Sequence, residues 1–221
     1  MQVHVFALLA SLMVSAHAAE PLELPVRVHL ISSDVPELDS SATSMMALRD
    51  RFREINQVFA AAGIVWEIES VVVDRPGAES AYRQAMGDQT VRRRALNGVR
   101  SSPTRLAPDG FDVYVVQKLG PVGIGGAYQC AANEPPGAGA AFVGAVGKNK
   151  QMLPTRKWAH ELGHMLGLGH TPCTSDSRQR LMMSGSCELS KPGRVGFTDA
   201  EIGRMRAQAR VGHAAPCKKQ R

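Results

Sequence analysis

The sequence is poor in aromatic residues, which make up 5% of its 221 residues, so a buried core must rely mainly on aliphatic side chains and methionine. No apolar run is long enough to span a bilayer comfortably, which argues against stable membrane insertion. No pair of cysteines has the C-x-x-C spacing of a structural zinc site, and no internal repeat is present. Hydrophobic and charged contents of 44% and 21% instead predict a single soluble globular domain.

The net charge of +6 does not indicate a nucleic-acid-binding protein. The basic residues are scattered, and the only dense runs are Arg92–Arg94 and the terminal Lys218–Arg221. A solvated helix face and a frayed tail explain these runs, and no aromatic stacking partners accompany them. We therefore expect no nucleic acid partner.

The first 18 residues are typical of an export signal. An apolar run over Val3–Val14 is followed by Ala16-His17-Ala18, a small-x-small cleavage site, although no lysine or arginine precedes the run. The alternative is a membrane anchor, for which the run is short. We predict a signal peptide over residues 1–18, a single domain over residues 19–221, and a secreted or periplasmic protein.

Four cysteines agree with export, where an even number predicts two disulfides. Three connectivities are possible. We favour Cys173 with Cys187, which leaves Cys130 with Cys217. Four buried free thiols are the alternative, and export makes them a poor fit.

Hydrophobic periodicity predicts a mixed α+β order of elements. His29 is expected to point outward from the first strand without binding metal, and Met45 and Met46 to fill the core. The predicted strands are Leu24–Ser32, Ile64–Val73, Phe111–Gln117 and Ala140–Val146; the predicted helices are Ser40–Ala62, one from Pro154 or Thr155 onward, and one near 199–211 opened by a Thr198–Glu201 capping box. Residues 78–99 are read as helix or loop.

The candidate reactive residues lie in one segment, His160-Glu161-Leu162-Gly163-His164-Met165-Leu166-Gly167-Leu168-Gly169-His170. Two histidines four residues apart share one helix face, and Gly167 allows a sharp turn that returns His170 to the same place. Three imidazoles leave one coordination position open, which predicts a catalytic Zn²⁺ site with His160, His164 and His170 as ligands. Glu161 is placed to act as the base. An ordinary amphipathic helix with exposed polar residues is the alternative.

The long motif H-E-x-x-H-x-x-G-x-x-H resembles that of the metzincin zinc peptidases, and Leu181-Met182-Met183 resembles their Met-turn. The resemblance implies that Met182, or alternatively Met183, forms a hydrophobic floor under the zinc without binding it. The resemblance to specific family motifs covers residues 160–186. Elsewhere it rests on the order of elements.

The resemblance implies a metzincin-like α+β fold. A twisted mixed sheet of about five strands and two helices would lie above the zinc helix, in an upper subdomain over about 19–169. An irregular lower subdomain over about 170–221 would end in a C-terminal helix. A protein or peptide substrate would bind extended along a sheet edge, with Gly123–Tyr128 as the candidate strand or an ordinary glycine-rich loop. We expect a monomer.

Three features depart from the family pattern. Ser184 stands where some metzincins have a tyrosine that stabilises the oxyanion, and Thr171 does not match several subfamilies after the third histidine. The chain also leaves little room for a long pro-segment. The specificity pocket would be lined by Ser184–Val195. The leading hypothesis is a secreted zinc endopeptidase; the alternatives are a non-catalytic binding protein on the same scaffold and a basic surface-binding protein with structural zinc.

Overall fold

The described part of the chain folds around a five-stranded β-sheet against which helices pack. The computed structural model describes residues 20–75, 110–118, 126–129, 140–145, 155–172, 181–182 and 196–215. Their elements, in chain order, are β1 (Leu22–Ile31), α1 (Met45–Phe59), a 3₁₀ turn (Ala60–Ala62), β2 (Ile64–Asp74), β3 (Phe111–Val116), β4 (Gly126–Gln129), β5 (Ala140–Gly144), α2 (Thr155–Met165) and α3 (Asp199–Val211).

The sheet is mixed and has the strand order β2-β1-β3-β5-β4. Strands β2, β1, β3 and β5 run parallel, whereas β4 pairs antiparallel with β5. Parallel neighbours need a crossover connection, and α1 supplies the one between β1 and β2. The predicted mixed sheet is confirmed. Residues 78–99, which were interpreted as helix or loop, lie outside the described residues.

The main core lies between the sheet and helices α1 and α2. Alternate residues of β1 enter it, and α1 contributes a stripe at helical spacing. The scarce aromatic rings are concentrated here: Trp66 is buried and lies edge-on to Phe59 and Phe111, with ring centroids 5.8 and 5.1 Å away. The β1 and α1 members are Leu24, Val26, Val28, Leu30, Leu48, Phe52, Ile55 and Phe59. Because the core contains few aromatic rings and these lie at its centre, replacing one by a smaller side chain should lower the stability of the fold.

Helix α1 starts later than the periodicity suggested. Ser44 is the N-cap, and its side chain accepts a hydrogen bond from the Ala47 amide. The prediction that Met45 and Met46 fill the core is wrong, since they are 42% and 73% exposed. They occupy the first turn of the helix, before its first buried residue, Leu48.

The C-terminal helix α3 begins and docks by identifiable contacts. Thr198 and Glu201 form the predicted capping box. The Arg206 guanidinium donates hydrogen bonds to three backbone carbonyls, those of Ala62, Gly63 and Glu20. These bonds tie α3 to the start of the sheet and to the turn after α1.

None of the described helices combines the length and the apolar character needed to cross a membrane.

His29 is not an outward residue, and that expectation is wrong. Its side chain is fully buried on the sheet face opposite the main core. In the strand register it lies beside Tyr114, which lies beside Phe142, and both neighbours are also buried. The polar alternation of β1 suggested a solvated face. The face is instead buried, and His29 is accommodated because carboxylates on the neighbouring strands hydrogen bond to it.

Asp112 on this buried face is expected to make the fold acid-sensitive. Burial alone would raise the pKa of the Asp112 carboxyl, but hydrogen bonds and positive charge from His29 and Arg27 outweigh burial and lower it. A carboxyl with a lowered pKa stabilises the fold above its unfolded pKa of about 3.9 and loses that contribution as pH falls through the folded value.

Urea unfolding between neutral pH and pH 3 checks this prediction. Asp112→Asn should lower the stability at neutral pH and flatten its decline in acid. Asp50→Asn, at an exposed carboxylate of α1, is the control and should leave the acid profile unchanged. An unchanged acid profile in Asp112→Asn would contradict the assignment.

Candidate metal centre

Helix α2 carries its core residues and its two motif histidines on different faces. Trp158, Leu162 and Met165 are buried in the main core. The Trp158 indole N–H also donates to the Gly144 carbonyl at the end of β5, at 3.1 Å. These contacts hold the helix against the sheet, so the two histidines on its other face are presented by a rigid element.

Gly167 ends this helix and redirects the chain as the motif predicts. Its φ is +79°, which glycine adopts without the steric cost a side chain would impose. The Gly167 amide donates to the His164 carbonyl and the Leu168 amide to the Gly163 carbonyl, at 2.9 and 3.1 Å. These two bonds form a Schellman motif. The turn returns His170 to the ligand face of α2.

The three predicted ligands converge on one point. The His170 Nε2 atom lies 3.2 Å from Nε2 of His160 and 3.1 Å from Nε2 of His164. Nitrogen ligands placed tetrahedrally about 2.05 Å from a zinc ion lie about 3.3 Å apart. Among the described residues, this is the one group of histidine, cysteine or acidic side chains with metal-binding geometry. The donor set and its spacing fit zinc.

Backbone carbonyls select the ring tautomers that a metal requires. The His160 Nδ1–H donates to the Leu181 carbonyl, and the His164 Nδ1–H to the Leu168 carbonyl, each at 2.8 Å. A neutral ring that carries its proton on Nδ1 offers a lone pair at Nε2. His170 could donate an Nε2 proton to only one of the two. A cation at the centre satisfies all three nitrogens at once.

Burial keeps two of the rings neutral at physiological pH. It lowers the pKa of His164 to about 4, and the adjacent His160 contributes further. The pKa of His160 is also lowered, mainly by burial and additionally by His170 and Arg156. The hydrogen bonds to backbone carbonyls oppose these shifts without reversing them. Both rings therefore hold their lone pairs ready at neutral pH.

Glu161, the predicted base, lies on α2 directly after the first ligand and is only 7% exposed. A helical step of one residue turns its side chain by about a quarter of a circle from the His160 direction. The carboxylate is thus beside the ligand face and is not a member of the metal-binding group. A buried carboxylate of this kind can act as a general base.

Met182, the predicted Met-turn residue, is buried against α2. A Cβ placed on Gly163 would lie 2.6 Å from the Met182 Sδ atom, so the side chain is in close contact with the helix backbone between the first two ligands. The preceding carbonyl, that of Leu181, holds His160. The alternative residue, Met183, lies outside the described residues, as do Ser184–Val195 and the four cysteines.

Thr171, which departed from the family pattern, connects the third ligand to this segment. Its amide and its hydroxyl both donate to the Met182 carbonyl, at 2.5 and 2.8 Å. One carbonyl therefore fixes the residue that follows His170. The sequence signal for this role is a hydroxyl directly after the third histidine, which is recognisable only once the pairing with residue 182 is known.

Thr171→Val is expected to weaken the centre by removing one hydrogen bond while keeping the side-chain shape. The loss should be about 1 kcal/mol of unfolding free energy, with faster zinc release because His170 is held less firmly. Thr171→Ser keeps the hydroxyl and should behave like the parent. Denaturant unfolding and competition with a zinc-sensitive dye measure both quantities; equal zinc release from Val and Ser variants would contradict the role.

Comparisons with known proteins show a similarity in fold and no similarity to a sequence family. No family model matches the sequence, and no curated protein matches it. Among solved structures, the chain is similar to the crystal structure of archaemetzincin from Methanopyrus kandleri, with a TM-score of 0.50 and 17% sequence identity. The similarity covers 85% of this chain and 96% of that chain. The fold, a mixed sheet with four parallel strands and three described helices, is therefore similar to that of archaemetzincin.

Proposed function

We propose that the protein is an exported zinc-dependent endopeptidase. The observation that carries the proposal is the convergence of three imidazole Nε2 atoms, two of them fixed as lone-pair donors by backbone carbonyls, beside a buried carboxylate. A structural zinc site usually closes its coordination with a fourth protein ligand. Here the described residues supply three, which fits a site that leaves room for water and substrate.

Each side chain has a distinct role in this proposal. His160, His164 and His170 would hold the zinc ion, which when bound lowers the pKa of a coordinated water to about 7 and polarises a peptide carbonyl. Glu161 would accept the proton of the attacking water and deliver it to the leaving amine. The Leu181 and Leu168 carbonyls orient two ligands, and Met182 supports the helix between them.

An extended peptide would bind along β4. This strand is the last in the sheet order, pairs antiparallel with β5, and contacts α2. No other described strand pairs with its outer side, which leaves backbone amides and carbonyls for a substrate strand. The candidate range Gly123–Tyr128 overlaps β4, of which residues 126–129 are described. Main-chain pairing of this kind would position the scissile bond at the zinc helix.

Export and disulfide pairing are parts of the proposal that rest on sequence. The signal peptide over residues 1–18 and the pairs Cys173–Cys187 and Cys130–Cys217 lie outside the described residues. Peptide mass spectrometry of the secreted, non-reduced protein tests both. A start near Ala19 and these two links are expected, whereas a Cys130–Cys173 link would refute the pairing.

Zinc analysis combined with a cleavage assay tests the function. The purified protein should contain about one zinc ion per chain. It should cleave a denatured protein substrate, lose this activity with a chelator and regain it with added zinc. A protein that binds zinc but cleaves no substrate would favour the alternative, a non-catalytic binding protein on the same scaffold.

A further inference from the structure

The chain that follows helix α3 returns to the metal-binding region. Gly212 ends α3 with a φ of +80°, a left-handed conformation that glycine adopts without steric cost, and the chain turns there. Residues 213–215 then reach the end of α2, where the Ala215 amide donates to the Met165 carbonyl at 2.7 Å. Met165 directly follows the second ligand, His164. A segment outside the metal-binding group therefore contacts the backbone beside a ligand.

The Met165 carbonyl belongs to the peptide bond that joins α2 to the ligand turn (residues 166–170), which brings the third histidine to the metal centre. The last four carbonyls of a helix have no partner within the helix, so they are available to fix the chain that follows. In α2, three of these carbonyls accept hydrogen bonds from amides of the ligand turn itself. The fourth accepts from Ala215, so the start of the turn depends on a segment far along the chain.

The 213–215 segment is also packed against the ligand turn. A Cβ placed on Gly167 would lie 3.6 Å from the Ala215 Cβ, an ordinary van der Waals distance, so the Ala215 methyl group lies close to the turn. Ala214 and Ala215 are 0% and 5% exposed, and Ala214 belongs to the main core. The hydrogen bond to Met165 is thus made by a buried and well-packed segment.

Other contacts fix the 213–215 segment to rigid elements. His213 forms a parallel bridge with Gly110, the residue before β3, and the His213 carbonyl accepts a hydrogen bond from the Gln208 side chain of α3 at 2.8 Å. The segment therefore connects β3 and α3 to the start of the ligand turn. The two hydrogen bonds from Thr171 to the Met182 carbonyl hold the other end of the turn.

We propose that residues 213–215 position the ligand turn, so that docking of this segment and binding of zinc by the histidines strengthen each other. The inference rests on the proposed zinc site and adds a control point to it. The turn is the element on which both act, because zinc would fix it through His170 and the segment fixes it through the Met165 carbonyl. Coupling of this kind is reciprocal: a segment that raises zinc affinity is itself held more firmly when zinc is bound.

Ala215→Pro in the full-length protein removes the amide hydrogen that bonds to the Met165 carbonyl. Zinc should bind about tenfold more weakly, measured by competition with a zinc-sensitive dye, because the contact orients the backbone beside a ligand. Ala215→Gly keeps the amide and is the matched control, which should bind zinc like the parent. A proline variant that binds zinc as tightly as the parent would overturn the proposal.

Cobalt(II) in place of zinc distinguishes positioning of the ligands from a general loss of stability. The visible absorption bands of bound cobalt depend on the ligand geometry, so Ala215→Pro should shift them and Ala215→Gly should keep the parental spectrum. A loss of stability alone would lower the amount of bound cobalt without moving the bands. Unchanged band positions in the proline variant would contradict a positioning role.

Amide hydrogen exchange in the parent protein tests the reverse direction and decides the question even if Ala215→Pro fails to fold. Zinc should slow exchange at the Ala215 amide more than at the Ser32 amide, which bonds to the Asp74 carbonyl between β1 and β2. Equal slowing at the two amides would show only global stabilisation and would refute the coupling while leaving the proposed function intact. A parent protein that binds no zinc would refute the proposed function together with this inference.

Discussion

Glu161→Gln should abolish peptide cleavage while leaving the zinc content unchanged. The amide has nearly the shape of the carboxylate, but it cannot accept the proton of the attacking water at neutral pH. General acid–base groups contribute roughly 10²- to 10⁴-fold to rate, so we expect a loss of at least about a hundredfold in kcat/KM. Because Glu161 is outside the metal-binding group, the three histidines should still bind zinc.

His164→Ala is the matched control, since it removes a metal ligand three residues further along the same helix. It should lose zinc together with cleavage, whereas Glu161→Gln should lose only cleavage. Metal analysis and a peptide assay on both variants, with circular dichroism to confirm folding, separate the two roles. A Glu161→Gln protein that cleaves at the parental rate would show that another group handles the proton.

The convergence of the three histidines was predictable because it depends on residues that are close together in the sequence. The spacing of His160 and His164 follows from helix geometry, and Gly167 marks the turn by the one property that distinguishes glycine. The carbonyls that orient the rings were not predictable. Leu181 lies 21 residues after His160, and its role depends on backbone position and not on the nature of its side chain. Contacts made by main-chain atoms leave no trace in residue types.

The fold was predictable where apolar periodicity matches burial. Strands β1, β2 and β3 were placed within two residues of their observed ends, and α3 was placed at its observed bounds. The prediction failed at a polar side chain that is buried. His29 alternates with apolar residues like a surface side chain, but it is buried because partners on two other strands hydrogen bond to it. Such partners, 45 and 83 residues away, cannot be paired from one sequence.

Gly163→Ala should destabilise the protein although alanine is the better helix former. In a helix interior the replacement of glycine by alanine normally stabilises by about 0.8–1.0 kcal/mol. Here the new Cβ would lie 2.6 Å from the Met182 Sδ atom, in a part of the core where Met182 is 1% exposed. Overpacking of this kind costs about 1–3 kcal/mol, so overpacking should outweigh helix propensity.

Gly203→Ala is the control for helix propensity. Gly203 lies in α3, is exposed, and has no atom within 4 Å of an added Cβ. The same chemical change should therefore stabilise by about 0.5–1 kcal/mol there. Urea unfolding of the two single variants should give opposite signs. Equal effects would mean that Met182 yields to the new methyl group at little cost.

A double-mutant cycle with Met182→Ala identifies the obstacle. Met182→Ala alone should cost about 2–5 kcal/mol by leaving a cavity. In that background Gly163→Ala should cost nothing or stabilise, because the sulfur is gone and the methyl group partly fills the space.

In the Gly163→Ala single variant, Met182 must shift to make room, and the adjacent Leu181 carbonyl shifts with it. Since that carbonyl fixes the His160 tautomer, Gly163→Ala should also release zinc faster than the parent. Stability lost without any change in zinc release would separate packing under the helix from orientation of the metal ligands.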